Sequence, residues 1–199
     1  MKSFWNERYG EPALAYGSKP NAFIKSFLDQ HSPGSILFPA EGQGRNAIYA
    51  AKKGWSVDAF DFSEVAKASA LSQALNAGVT INYWIDDMEN FKGVHEVYDV
   101  VGLCYVHLSQ PVRVAFYNSL ITSLKEGGLL VMEAFTKTQL AHESGGPKSE
   151  ELLYTQQIVE KDFEKLQTIF SQELYTDLEE GSYHQGQAHI IRYIGRKGK

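Results

Sequence analysis

Residues 36–63, ILFPAEGQGRNAIYAAKKGWSVDAFDFS, run from an apolar strand through a glycine turn and a helix into a second apolar strand that ends in an acid. Ile36, Leu37 and Phe38 make the first strand. Gly42-Gln43-Gly44 then lets the backbone turn sharply and approach a ligand, and Arg45 to Lys53 winds as a helix. The first N–H groups of such a helix have no partner within it and are expected to be free for an anionic group. Asp61 follows Gly44 by seventeen positions and closes the strand Val57 to Phe60. Its carboxylate is expected at the carboxyl edge of the sheet, beside the glycine turn, where it can accept both hydroxyls of a ribose.

The pattern continues outward in both directions. Asn21 to Gln30 places Phe23, Ile24, Phe27 and Leu28 on one helical face, whereas Phe4 to Pro20 is rich in aromatics and lacks a period. Ser63 is a fitting N-cap for an Ala/Leu-rich helix that stops at Asn76-Ala77-Gly78. Val79 to Ile85, Tyr98 to Tyr105 and Gly127 to Phe135 read as further strands, with a helix over Pro111 to Leu124. Strands separated by helices predict a parallel, doubly wound α/β sheet. Beyond it, His142 to Lys148 is a polar, glycine-rich loop suited to a lid or binding role, and Ile158 to Phe170 reads as helical. Ser171 to Glu179 and Ala188 to Gly195 alternate around Glu180-Gly181-Ser182 as an antiparallel pair. Asp177, Glu179 and Glu180 read there as a solvated turn face, and Arg196 to Lys199 as a frayed basic end.

The chain has 199 residues, 43% apolar and 22% charged, which is ordinary globular composition for a single domain over 1–199, with residues 1–19 as a lid segment. A net charge of −5 offers no basic footprint, so the expected partner is a small molecule and not nucleic acid. No apolar run reaches the ~20 residues that cross a bilayer, and MKSFWNERYGEP lacks the apolar stretch of a secretion signal. Cys104 has no second cysteine to pair with, which fits a cytoplasmic protein; oligomeric state stays open.

The strand order, the Gly-x-Gly turn, the acid after strand two and a further acid after strand three resemble a class I S-adenosylmethionine (SAM) dependent methyltransferase: a Rossmann-like sheet, mostly parallel with a late antiparallel strand. GQGRNAIYAAKKGWSVDAFDFS is similar to the matching stretch of the tellurite-resistance and thiopurine methyltransferase group. So are FWNERYG, YGSKPNAFI, SGGPKSEELLYT and EGSYHQGQAHIIRYIGRK. One departure stands out, since Ala40 replaces the first glycine of the usual Gly-x-Gly-x-Gly and the acid falls at Glu41.

The resemblance implies SAM as cofactor, and His107, His184 and His189 lack metal-ligand spacing as a group, so no metal is expected. Glu41, with Gly42 and Gly44, would face the cofactor's ammonium, and Arg8 would pair with its carboxylate in a bidentate fork. Asp61 would take the ribose, with Ser63 beside it; Phe62 would cover one face of adenine, and Asp87 with Met88 its edge and other face, although Asp86 competes for that role. Cys104, Tyr105 and His107 would line the far side. Methyl transfer is an in-line displacement that needs alignment more than acid catalysis, so a soft nucleophile needs no base. An oxygen or nitrogen nucleophile must lose a proton, for which His107, His184 and His189 are candidates. Trp5, Tyr9, Tyr16 and Tyr105 are aromatic walls suited to a cationic methyl. Gly42-x-Gly44-x-x-Ala47 also satisfies the dinucleotide fingerprint, so an NAD-dependent oxidoreductase is the alternative enzyme, and a SAM-binding sensor without turnover the alternative outside enzymes.

Overall fold

The computed structural model describes residues 2–198. Seven strands form one sheet: β1 (Ser35–Pro39), β2 (Ser56–Asp61), β3 (Asn82–Ile85), β4 (Tyr98–Cys104), β5 (Leu124–Phe135), β6 (Leu166–Glu180) and β7 (His184–Lys197). Their spatial order is β3-β2-β1-β4-β5-β7-β6. The first five are parallel, and β7 lies antiparallel to both β5 and β6. The expected mostly parallel sheet with a late antiparallel strand is therefore the observed one. The order reverses between β1 and β4, and in such sheets the carboxyl edge at that switch point holds the ligand.

Side-chain alternation along these strands builds two cores, one on each face. Ile36, Phe38, Val57, Ala59, Val100 and Val131 point to the face covered by α2 (Ala22–Gln30), α3 (Arg45–Lys52) and α4 (Glu64–Asn76). Leu37, Phe60, Val101, Leu103 and Met132 point to the face covered by α5 (Gln110–Ser123) and α6 (Gln156–Asp162). Each fully buried aromatic or aliphatic side chain contributes on the order of 1.5–3 kcal/mol. The cap predicted at Ser63 holds, and Asn21 caps α2 in the same way. Asn21 accepts the Phe23 and Ile24 N–H groups at α2, and Ser63 accepts that of Ala66 at α4.

Four local expectations are corrected. Residues 4–9, which lack an apolar period, lie in a helix, α1 (Lys2–Tyr9), whose one buried residue is Tyr9. The third strand begins at Asn82 and not at Val79. The helix expected over Ile158 to Phe170 ends at Asp162, because Leu166 to Phe170 pair with Lys197 to Ile194 of a β7 longer than its alternation implies. Phe163, at the break, stacks on Tyr117 and Tyr193 at 4.6 and 5.2 Å. Finally, Arg196 and Lys197 belong to β7, where Lys197 donates to the Leu124 carbonyl at 2.6 Å, while Lys199 lies outside the described residues. No helix among the described residues is long and apolar enough to cross a membrane.

Candidate functional site

The turn after β1 is held from beneath by two buried acids. Gly42 and Gly44 take the left-handed φ values of 63° and 86° that the glycine reading requires. Glu41, however, turns under the loop. Its Oε1 accepts the Asn46 and Ala47 N–H groups at 2.7 and 2.8 Å, and its Oε2 the Asn46 amide at 3.3 Å. The start of α3 is thus capped internally by Glu41, which corrects both the expectation of free N–H groups there and that of Glu41 facing a cofactor ammonium. Burial pushes the Glu41 carboxyl up to about 7, against the opposing hydrogen bonds.

Asp61 lies where its spacing predicts, and it braces the loop. Its Oδ2 accepts from Gly42 N–H at 3.1 Å and its Oδ1 from Ser63 N–H at 2.9 Å. Burial raises its pKa to about 6, and repulsion from Asp87 adds to the rise. Asp86 is occupied with the Asp87 N–H at 2.8 Å and the Trp84 indole at 3.5 Å. Asp87 Oδ1 accepts the Glu89 N–H at 3.0 Å, and Met88 packs, partly buried, against the α5 core. Phe62 is half-buried beside Asp61, and Ser63 donates to Asn6 of α1 at 2.6 Å.

Ala40, at the position of the missing glycine, has φ 49°. A left-handed alanine costs ~1 kcal/mol or more, partly offset by the unfolded-state entropy a glycine would add. Ala40→Gly is therefore expected to raise stability by roughly 0.5 kcal/mol and leave S-adenosylhomocysteine affinity within about twofold. Thermal melting and calorimetric titration check this; a lower melting temperature would mean that the methyl group packs productively.

Across the switch point, Tyr105 is also left-handed, with φ 53°. A non-glycine residue in this region persists only where its surroundings over-determine it. The Tyr105 hydroxyl donates to Glu133 at 2.8 Å, and its ring stacks on Phe135 at 4.6 Å. Cys104 accepts a weak hydrogen bond from Arg45 at 3.7 Å, and burial raises its thiol far above the usual range, so it is no nucleophile.

His107 is corrected as a base. Its Nδ1 lies 2.8 Å from the Leu152 carbonyl, to which it donates, and its Nε2 accepts from the Phe135 N–H at 3.4 Å. Burial lowers its pKa to about 4. With both ring nitrogens committed to backbone, it is a structural histidine. His189 lies on the outer side, with Nδ1 2.5 Å from the Thr136 hydroxyl and its ring against Tyr175. His184 is different. It is 5% exposed, and its ring sits 4.5 Å from those of Tyr16 and Tyr105 and 5.2 Å from that of Phe135. Its Nδ1 is 3.2 Å from Glu180 Oε2, and its Nε2 has no hydrogen-bond partner among the described residues.

Glu180, expected on a solvated face, is instead the centre of a buried polar cluster. Its Oε2 also receives Arg45 at 2.9 Å, and its Oε1 receives the Asn21 amide at 3.1 Å. Asn21 in turn donates to Glu133 at 2.5 Å, which Arg192 neutralises at 2.6 Å. Two carboxylates and two guanidinium groups balance, as buried charge requires. The only sequence signal for this cluster is the position of Arg45 directly after the glycine turn.

The amino-terminal segment closes over these groups. Gln43 holds it by accepting the Ala15 N–H at 2.9 Å and donating to the Tyr9 carbonyl at 3.3 Å. A Cβ on Gly42 would lie 2.8 Å from the Tyr9 hydroxyl, and one on Gly181 would collide with the Ala15 carbonyl oxygen, so both close approaches need glycine. The Arg8 guanidinium lies over the rings of Phe4 at 4.4 Å and Tyr183 at 4.0 Å and donates to Tyr16 at 3.3 Å. It has no carboxylate partner among the described residues. The loop 142–148 walls the far side. Ser144 anchors it to the Gln187 carbonyl at 2.6 Å, and a Cβ on Gly145 would come within 2.6 Å of the His184 ring.

Residues 36–128 match the protein family described as methyltransferase domain. Ribosomal protein L11 methyltransferase of Campylobacter concisus (strain 13826) is 34% identical over 128 residues, 61% of this chain and 44% of that protein. The chain thus spans less than half the length of this curated relative. TehB from Haemophilus influenzae superposes with a TM-score of 0.74 at 15% identity, over 98% of this chain and 66% of that one. The N-methyltransferase NodS from Bradyrhizobium japonicum WM9, crystallised with S-adenosyl-L-homocysteine, superposes with a TM-score of 0.73 at 12% identity, over 100% of this chain and 98% of that one. At such identities the likeness is one of fold, and the fold is that of class I methyltransferases. The residues would fit SAM: an acid pair at the ends of β2 and β3, a turn with no room for a side chain at Gly42, and a guanidinium caged by aromatics with no carboxylate partner among the described residues.

Proposed function

We propose that this protein is a SAM-dependent methyltransferase whose acceptor is a small molecule, of the kind handled by the tellurite-resistance and thiopurine methyltransferase group. The observation that carries the reading is His184, buried among Tyr16, Tyr105 and Phe135, with Nε2 unpartnered among the described residues and Nδ1 joined through Glu180 to Arg45 directly after the glycine turn. Asp61 would accept the ribose hydroxyls, Phe62, Asp87 and Met88 would hold adenine, Arg8 would hold the cofactor carboxylate, and Cys104 and Tyr105 would close the far side. When bound, SAM supplies an electrophilic methyl on a sulfonium. The chain's own residues align the acceptor, keep water out and, where the acceptor carries a proton, remove it at His184 Nε2. Enclosure supports a small acceptor, since Tyr16 of the amino-terminal segment and Gly145 of the loop 142–148 both pack against the His184 ring.

An NAD-dependent reaction is disfavoured by topology. The sheet ends in the antiparallel β7 and β6 where a dinucleotide fold would place its second mononucleotide half. Mass spectrometry of mixtures with isotopically labelled SAM and a panel of thiols, metalloid oxyanions, amines and phenols tests the acceptor. Labelled product from any of these supports the reading. Label on protein alone would overturn the small-molecule acceptor, and tight SAM binding with no label anywhere would favour a sensor.

The segment 4–17 is expected to act as a lid that tightens on the bound cofactor, because Asn6, Tyr9 and Ala15 are held by Ser63 and Gln43 of the cradle itself. Trypsin cleavage after Arg8 should slow by about tenfold or more with saturating S-adenosylhomocysteine, since a segment held by a ligand opens less often. Equal rates with and without it would count against a lid.

A further inference from the structure

The polar cluster around His184 does more than satisfy buried charge. We propose that Arg45 and Glu180 together hold His184 as a neutral imidazole protonated on Nδ1, so that Nε2 is presented as a proton acceptor, and that Arg45 is the residue that keeps this imidazole from charging. This rests on the reading of His184 as the acceptor's base, and it concerns how that base is set.

The geometry fixes the tautomer first. An ionised carboxylate can only accept, so the 3.2 Å contact of Glu180 Oε2 with His184 Nδ1 requires the proton on Nδ1. Glu180 is kept ionised. Burial raises its pKa, but the His184 hydrogen bond and the Arg45 charge outweigh this and leave it at about 2. Its remaining capacity is taken by Asn21, so it orients the ring and does not receive its proton.

Protonation state is decided by sharing. Arg45 Nη2 and His184 Nδ1 meet the same oxygen, Glu180 Oε2, at 2.9 and 3.2 Å. A carboxylate facing an imidazole alone would pull it towards imidazolium, and a base that is already protonated cannot act. Arg45 neutralises that pull and opposes a second positive charge nearby. The other groups facing His184 are Glu133 from β5, Tyr105 beyond β4, Tyr16 from the amino-terminal segment and the neutral His107. Glu133 is paired with Arg192 at 2.6 Å, so on top of burial, which is the largest influence, the Arg45–Glu180 pair is the main charged influence on the ring. Burial lowers the His184 pKa; Glu180 acts against the fall and Arg45 with it.

Because Arg45 opens α3 directly after Gly44, it ties the cofactor turn to the base, and it works on His184 as a positioning residue. When an acceptor X–H is methylated, its proton goes to Nε2 and gives an imidazolium, with Nδ1–H still held by Glu180. That proton then leaves to water when product is released. No other reactant is required.

Nitrogen-15 NMR of the imidazole in the whole protein saturated with S-adenosylhomocysteine tests this without any acceptor. The wild type should show the Nδ1–H tautomer at pH 7.5. Arg45→Met should move the His184 titration midpoint up by about one pH unit or more, and Arg45→Lys, which keeps the charge, should move it less. Glu180→Gln should lower kcat by about tenfold or more while acceptor KM and S-adenosylhomocysteine affinity stay within about threefold. An Nε2–H tautomer in the wild type would overturn the proposal, and this result needs no variant to fold. So would an unmoved midpoint in a folded Arg45→Met that still binds S-adenosylhomocysteine. If tautomer and midpoint behave as expected but His184→Ala keeps full turnover, the base reading fails and the electrostatic setting of the ring stands.

Discussion

Asp61→Ala is expected to weaken S-adenosylhomocysteine binding by about thirtyfold or more, roughly 2 kcal/mol, because a buried charged acceptor for two ribose hydroxyls is removed. The loss has a second source. Asp61 also accepts the N–H groups of Gly42 and Ser63, so alanine leaves both donors without their partner and loosens the turn itself. Calorimetric titration gives the affinity, and thermal melting of the free variant separates loosening from lost ligand contacts. A dissociation constant unchanged in a folded variant would remove Asp61 from the site.

The same residue predicts opposite pH dependences for binding and stability. Its native pKa of about 6 lies above the ~3.9 of an unfolded aspartate. Between these values the native state holds a proton that the unfolded chain has released. The Asp61 contribution to stability is thus highest below about 4 and is lost as pH rises through about 6. Ribose binding needs the carboxylate, so affinity falls as pH drops through about 6, by up to tenfold per unit. Comparing wild type with Asp61→Ala at pH 5 and pH 7.5 isolates both effects. An affinity that stays flat between these values would mean that the ionised carboxylate is not what the ligand meets.

His184→Ala should lower turnover of a proton-bearing acceptor by about a hundredfold or more, the usual worth of a positioned general base, while S-adenosylhomocysteine affinity remains intact. The substitution is tolerable in the fold because Glu180 keeps Arg45 and Asn21 as partners. The expected signature is a fall in kcat at constant cofactor affinity, with greater loss for amines and phenols than for thiolates, which arrive without the proton. Should acceptor KM rise with kcat unchanged, His184 is a wall of the pocket and not its base. A folded variant that no longer binds S-adenosylhomocysteine would assign this segment to the cofactor.

Much of the site was legible because its determinants are local. Strand alternation depends on the pleat, so Ile36, Leu37 and Phe38 declare by themselves which of two opposite faces each will serve, and the structure places them in two separate cores. Gly42 and Gly44 declare a turn, Ser63 a cap, and the strand before Asp61 carries that acid to the carboxyl edge of the sheet, all within one strand–helix–strand unit. Glu41 departs from its expected role although its partners are near, since an acid just before a helix start can cap that helix as readily as meet a ligand, and Asn46 and Ala47 offer the donors.

The remainder depends on residues that meet only in the folded chain. Arg45 and Glu180 are 135 positions apart, and nothing in the alternation of Ser171 to Glu179 marks the next acid as buried. His107 ceases to be a base because the Leu152 carbonyl, 45 positions away, takes its proton-bearing nitrogen. Leu166 to Phe170 become strand because β7 supplies the partner. Period, turn and cap are interactions within a few residues and are written in order along the chain. Which carboxylate is desolvated, which histidine keeps a free nitrogen and which segment gains a pairing strand follow from packing across the sheet's edge, where distance along the sequence carries no information about distance in space.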